Sequence, residues 1–117
     1  MAERIAYQAT DLSGPLPSGF DLVLECDVGL YTEALFTRVR DALNEGGRFL
    51  IADELADDPD EAPTPWRLHW AFTAAISGPS GDPMTPGRLK EMLASSGFTA
   101  VRDSALPEGF RLIDARR

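Results

Sequence analysis

The chain has 117 residues, 44% of them apolar, including two Trp, two Tyr and six Phe, a composition that folds and is too apolar for a disordered segment. Nineteen acidic residues against eleven basic ones leave a formal net charge of −8, which argues against nucleic acid and anionic membrane surfaces as main partners, because both bind basic faces. A single cysteine, Cys26, and a single histidine, His69, exclude an internal disulfide and a two-Cys two-His zinc site, and the lone thiol points to a reducing, cytoplasmic setting. The length suits one domain near the lower limit for an open α/β sheet. The leading MAERIAYQATD is charged and lacks the apolar run of a signal peptide, and no stretch approaches the ~20 apolar residues of a membrane span.

Ile5 to Thr10 (IAYQAT) alternates loosely and stops at the turn cluster Asp11-Leu12-Ser13-Gly14-Pro15, which predicts a first strand. Phe20 to Leu24 (FDLVL) is apolar after Asp21 and reads as a central strand buried on both faces. From Thr32 to Leu43 the residues Leu35, Phe36, Val39, Ala42 and Leu43 recur at helical spacing, with Thr32 as N-cap and Glu33 in the first turn. Gly46 and Gly47 are predicted to stop that helix, and FLIA at 49–52 to form another apolar strand. An acidic, proline-rich loop (56–65) precedes a helix from Trp66 to Ile76, and SGPSGDPMTP forms a second loop. Thr85 and Pro86 read as N-cap and first position of a helix that Gly97 ends. Phe98 to Asp103 and Phe110 to Ala115 give two last strands, with LPEG between them as a hairpin.

Buried strands alternating with helices imply an α/β fold with a mostly parallel, three-layer sheet and a C-terminal antiparallel hairpin. Such sheets bind ligands beyond the carboxyl ends of their strands, which singles out Asp11-Leu12, Glu25-Cys26-Asp27 and Asp53-Glu54. Adjacent residues on a regular strand point to opposite faces, so Asp53 and Glu54 converge on one atom only through a turn. The DDPDE run reads as a solvated loop without the spacing or central glycine of a calcium site, and no metal is expected.

Together, DLSGPLPSGFDLVLECDV, RVRDALNEGGRFLIADE and LKEMLASSGF resemble the carboxyl-terminal half of a class I S-adenosylmethionine-dependent methyltransferase of the small-molecule O-methyltransferase type. The resemblance implies that residues 1–117 form a single truncated, partial Rossmann-like domain carrying the third to seventh strands of the family fold. It implies S-adenosylmethionine as cofactor, with Asp11 and Leu12 at the adenine position and Glu25 and Cys26 beside the methionine part. It also implies a small-molecule acceptor bordered by Asp53, Glu54, Trp66, His69 and Trp70. Of these, His69 is the candidate general base. The residues by themselves also allow a turn role for Asp11, a filler role for Cys26 and a packed helix position for His69.

Two departures qualify the resemblance. The family's glycine-rich cofactor loop is absent, because SGPSGD lies between helices and NEGG precedes a strand instead of following one. The family's His-Asp-Trp after the fourth strand is replaced by VGLYTEAL, with Leu30 at the histidine position. The chain alone is therefore expected to be an inactive or incomplete part, or a non-catalytic module that self-associates or pairs with another chain. The family's strand order would leave open edges here, so either Ile5–Thr10 pairs directly onto Phe20–Leu24 or the chain forms a homo-oligomer.

Overall fold

The core begins with the amphipathic helix α1 (Glu33–Ala42), whose Leu35, Phe36, Val39 and Ala42 are buried. Its N-cap is Thr32, whose hydroxyl accepts a hydrogen bond from the Leu35 amide at 3.1 Å, and Glu33 sits in the first turn where the helix dipole favours a negative charge. These features come from a computed structural model that describes residues 4–62, 64–77 and 84–117, apart from the side chains of Trp66, Arg67, Trp70 and Ala74. Most of the SGPSGDPMTP loop falls outside the described residues.

The other elements are β1 (Phe20–Cys26), β2 (Leu43–Glu54), α2 (Pro65–Ser77), α3 (Pro86–Ser95), β3 (Thr99–Ala105) and β4 (Phe110–Arg116), with a short 3-10 turn at Pro107–Gly109. The four strands form one sheet in the order β1-β2-β4-β3. β1 runs parallel to β2, while β4 is antiparallel to both β2 and β3. The C-terminal hairpin therefore inserts its second strand beside β2 and leaves its first at the edge. On β2 the side chains of Leu43, Phe49, Ile51 and Asp53 are buried in alternation, as period two requires. Leu43, Phe49 and Ile51 meet Ile113 and Ala115 of β4, α1, and Leu89 and Leu93 of α3 in one core. At its centre Phe49 touches Phe36 edge-on, with ring centroids 5.9 Å apart.

Three expectations need correction. Ile5–Thr10 forms no strand; Ile5 and Tyr7 are exposed, and β-propensity expresses itself only against a pairing neighbour. It does not pair onto β1. β1 in turn is not a central strand buried on both faces. It is an edge strand with Leu22 and Leu24 more than half exposed, because no described strand lies beyond it. Finally, Gly46 and Gly47 do not stop α1. The helix ends at Ala42, and Leu43 is already extended at φ −79°, ψ 144°, so the glycines lie inside β2.

The physical reason is the demand on Leu43, which is 1% exposed and paired with Phe20 at the start of β1. The register slips just after this pair. Gly46 absorbs the slip at φ 75°, and Gly47 passes so close to Asn44 that an added Cβ would lie 2.8 Å from the Asn44 carbonyl oxygen. Asn44 Nδ2 closes the bulge by donating to Asp21 Oδ1 at 3.0 Å. Thr85, with its hydroxyl accepting from the Arg88 amide, and Gly97 at φ 93° do bound α3 as expected.

The burial pattern separates two substitutions. Phe36→Ala should remove about 3–5 kcal/mol, a large part of a small domain's stability. Leu24→Ala, on the open side of β1, should change it by less than about 0.5 kcal/mol. Urea denaturation of both variants checks this, and a comparable loss at Leu24 would mean that the face is covered in solution.

Candidate functional site

At the carboxyl ends of β1 and β2 the chain folds a short connection over a buried acid. Because β2 alternates, Asp53 falls on the core side and is only 4% exposed. An isolated buried carboxylate is costly, so donors must reach it. The connection after Cys26 supplies them. Asp27 adopts the left-handed conformation at φ 53°, and its amide donates to the Ala52 carbonyl at 3.1 Å. The Gly29 amide donates to Asp53 Oδ2 at 3.3 Å, and the Tyr31 hydroxyl donates to the same oxygen. The Glu54 amide donates to Oδ1 at 2.8 Å. A left-handed non-glycine residue beside a cavity fits the tendency of strained backbone to gather at functional sites.

These residues line a cavity of about 350 Å³ whose walls include Asp27, Gly29, Tyr31, Asp53, Glu54 and Met84. The Met84 side is held in place by the Ala56 amide, which donates to the Met84 carbonyl at 3.0 Å. Glu25, at the end of β1, is 7% exposed, and its Oε1 has no hydrogen-bond partner among the described residues. Burial first, and then the negative charge of Asp53, push the Glu25 carboxyl up to about 7. The Tyr31 phenol is raised well above its ordinary range by burial, by its bond to Asp53 and by the surrounding acids. It therefore stays protonated and serves as a donor.

Each sequence-predicted residue has a definite place. Asp53 and Glu54 both line the cavity yet take different partners, since Glu54 Oε1 lies 3.8 Å from Nε2 of His69. His69 stands on α2 with its side chain about half exposed. Trp66 and Trp70 belong to the same helix, and their side chains fall outside the described set. Glu25 faces the buried Asp53 region, whereas Cys26, next to it, is exposed. Asp11 is exposed in a turn, where its Oδ1 accepts from the Ser13 amide at 2.9 Å and from the Ser13 hydroxyl at 2.8 Å. The hydrogen bonds from Ser13, the backbone one foremost, lower its carboxyl below the ordinary value. The Leu12 carbonyl accepts from Arg38 Nη1 at 3.0 Å. Neither Asp11 nor Leu12 lines the strand-end cavity. Among the described residues no cluster of three or more His, Cys, Asp or Glu could hold a metal ion. Asp27 was among the strand-end residues read from the sequence, whereas Tyr31 was not singled out, although the DVGLY turn just before an N-cap carried the signal.

A parallel pair extended by an antiparallel hairpin, with a cavity at the parallel strands' carboxyl ends where such sheets bind ligands, gives the chain a Rossmann-like half-sheet. No family model matches the chain. It is 36% identical over 96 residues to demethylspheroidene O-methyltransferase of Rhodobacter capsulatus, which covers 74% of this chain and 23% of that protein. It is 32% identical over 74 residues to the tetracenomycin polyketide synthesis 8-O-methyl transferase TcmO of Streptomyces glaucescens, covering 63% of this chain and 22% of the relative. The crystal structure of the S-adenosylmethionine-dependent methyltransferase SibL in its apo form superposes with a TM-score of 0.77 at 23% identity, over 94% of this chain and 35% of that one. The chain belongs to the S-adenosylmethionine-dependent methyltransferase family, and it spans about a quarter of the curated relatives it matches.

Two measurements test the site's internal chemistry. Tyr31→Phe deprives buried Asp53 of one donor and should cost about 1–3 kcal/mol, read as a lowered urea midpoint; an unchanged midpoint would contradict the bond. Glu25 binds its proton more tightly folded than unfolded, since its value rises from 4.5 to about 7. Its contribution to stability is therefore fully present below the unfolded value and is lost as pH rises through about 7. Between about pH 5 and about pH 8 the urea midpoint of Glu25→Gln should fall less than that of the unaltered chain. Parallel curves would show that Glu25 carries no such shift.

Proposed function

We propose that this chain forms the acceptor side of a methyltransferase that transfers the methyl group of S-adenosylmethionine to a small molecule, and that alone it is an inactive or incomplete part. The observation carrying this reading is the cavity at the carboxyl ends of β1 and β2, walled by Tyr31, Asp53 and Glu54, in a chain 36% identical to an O-methyltransferase. Glu25 and Cys26 are the residues proposed beside the methionine part of the cofactor, whose ammonium and sulfonium an acid suits; Glu25 has a buried oxygen without a partner among the described residues. Asp11 and Leu12 are the residues proposed for the adenine. When bound, the cofactor supplies an electrophilic methyl on a positively charged sulfur.

The chain's own residues would bind and orient the acceptor and move its proton. Tyr31 stays protonated and fixes Asp53. Glu54 orients His69 across 3.8 Å, and His69 takes the proton that the acceptor's hydroxyl or amine loses on methylation. Trp66 and Trp70 flank it on α2 as further acceptor contacts. Rate would come chiefly from positioning.

A second reading, a non-catalytic module that self-associates or pairs with another chain, is favoured by the open apolar edge of β1 and by Leu68, Phe72 and Ile76 of α2, each more than two-thirds exposed. Exposed apolar edges promote association. Two experiments separate the readings. Calorimetry with S-adenosylmethionine should give no binding by the purified chain in the micromolar range; micromolar affinity would overturn the incomplete-part reading. Sequencing of the DNA upstream of Met1 should reveal an in-frame V-L-D-x-G-x-G-x-G segment, and a stop codon there instead would favour the module.

A further inference from the structure

We propose that the face of the sheet turned away from α1 and α3 docks an amphipathic helix with an acidic flank, supplied by another chain; as a statement about the partner, this rests on the second reading above, in which the chain pairs with another. Strand register divides the sheet into two faces. Phe49, Ile51, Ile113 and Ala115 turn to α1 and α3 and join the core. The alternate residues fall on the opposite face, where Leu22 stands beside Arg48, Leu24 beside Leu50 and Ala52 beside Leu112. Leu22 and Leu24 are more than half exposed there. Sheets with parallel strands are covered on both faces, and here both helices that enter the core lie on one side.

The charges beside that apolar strip select the occupant. Arg48 and Arg116 are register partners on β2 and β4, and Arg102 of β3 lies opposite Asp114 of β4. All three arginines are exposed. Arg48 bonds Asp114 at 2.6 Å, and the Asp114 carboxyl is held below its ordinary value by that bond first and by the charges of Arg116 and Arg102 as well. Glu54 shares this face but lies at the far end of β2, near His69. Three arginines around one aspartate leave the flank basic in a chain whose net charge is −8. A second copy answers this poorly. Its own open face would set arginines against arginines, and its exposed helix α2, PWRLHWAFTAAIS, holds no acidic residue. A helix whose apolar stripe meets Leu22, Leu24 and Leu50, and whose acids face the three arginines, satisfies both halves of the surface. The dimensions agree. From β1 across β2 to β4 is about 10 Å, one helix diameter. The seven residues of β1 run about 23 Å, the length of about four helical turns.

The test titrates the unaltered chain with two synthetic helices of about 15 residues, followed by amide NMR. Both carry one leucine stripe, flanked by glutamates in one helix and by lysines in the other. The glutamate helix should bind at least about tenfold more tightly than the lysine helix, weaken as salt is raised, and move the amides of Leu22, Leu24 and Leu50. Arg102→Glu, at an exposed position, should weaken the glutamate helix several-fold and leave the lysine helix no weaker. Leu24→Ala should weaken both. Equal binding of the two helices, or shifts confined to other amides, would overturn the proposal. So would binding to vesicles containing phosphatidylserine in place of the glutamate helix, or a dimer in light scattering that the glutamate helix does not dissociate. If the upstream DNA carries a stop codon and neither helix binds, the acidic helix is wrong and the module reading stands. If the glutamate helix binds and the upstream DNA carries the glycine-rich segment, the docking face stands and the module reading fails.

Discussion

A single alternation governs this molecule: past the bulge at Gly46 every second residue of β2 turns to the core, and the buried side chains Leu43, Phe49 and Ile51 are followed by Asp53. The first three unite the sheet with α1 and α3 through apolar burial, which supplies most of the stabilisation of a domain this size. The fourth obeys the same geometry with the opposite chemistry. A carboxylate delivered to the buried face by strand period must be met by donors, and that requirement shapes the β1–α1 connection. Asp27 and Gly29 both take positive φ, so that an amide and then the Tyr31 hydroxyl reach it. The cavity follows from this wrapping, since a loop drawn over a strand end leaves space between itself and the next connection.

The hairpin shows the same economy with charge. Asp103 on β3 is held by Lys90 of α3 at 2.9 Å and by Arg111 of β4. These bonds, Lys90 foremost, lower its carboxyl below the ordinary value. Arg48 and Asp114 meet across β2 and β4 at 2.6 Å, on a partly exposed surface where such a pair contributes little beyond register. The two sheet edges differ in kind. β3 carries Arg102, Asp103 and Ser104 and an irregular register between Thr99 and Arg102, features that discourage further pairing. β1 offers Leu22, Val23 and Leu24 with no such protection.

Local signals in the sequence were reliable where they depended on local chemistry. Thr32 and Thr85 cap their helices, Gly97 ends α3, and LPEG turns the hairpin, because each needs only its near neighbours. The failures share one cause. Ile5–Thr10, β1 as a central strand, and the role of Gly46 and Gly47 all depend on what lies alongside, and pairing partners are invisible to periodicity. At the site, Asp53 and Glu54 stood out as acids at a strand end, but their division of labour did not. Asp53 is buried because its parity matches Ile51, and Glu54 meets His69 because α2 returns to that end. Asp11 was read both as a strand-end ligand and as a turn residue, and its carboxylate accepts from the Ser13 amide and hydroxyl in a turn.

The connection that carries α2 has its own base. Ala56 bonds to Met84, and two residues further in, Asp58 Oδ1 accepts from the Gly87 amide at 2.9 Å. Gly87 permits that approach, since a Cβ there would lie 2.7 Å from the Asp58 carboxylate. The described residues between these bonds, His69 among them, leave and rejoin the sheet through one narrow neck. A segment clasped at its neck behaves as a cassette: lengthening it costs the fold little, about 0.6 kcal/mol for each doubling of an unstructured loop. Variation can accumulate along α2 while the strands that carry Asp53 and Glu25 keep their register.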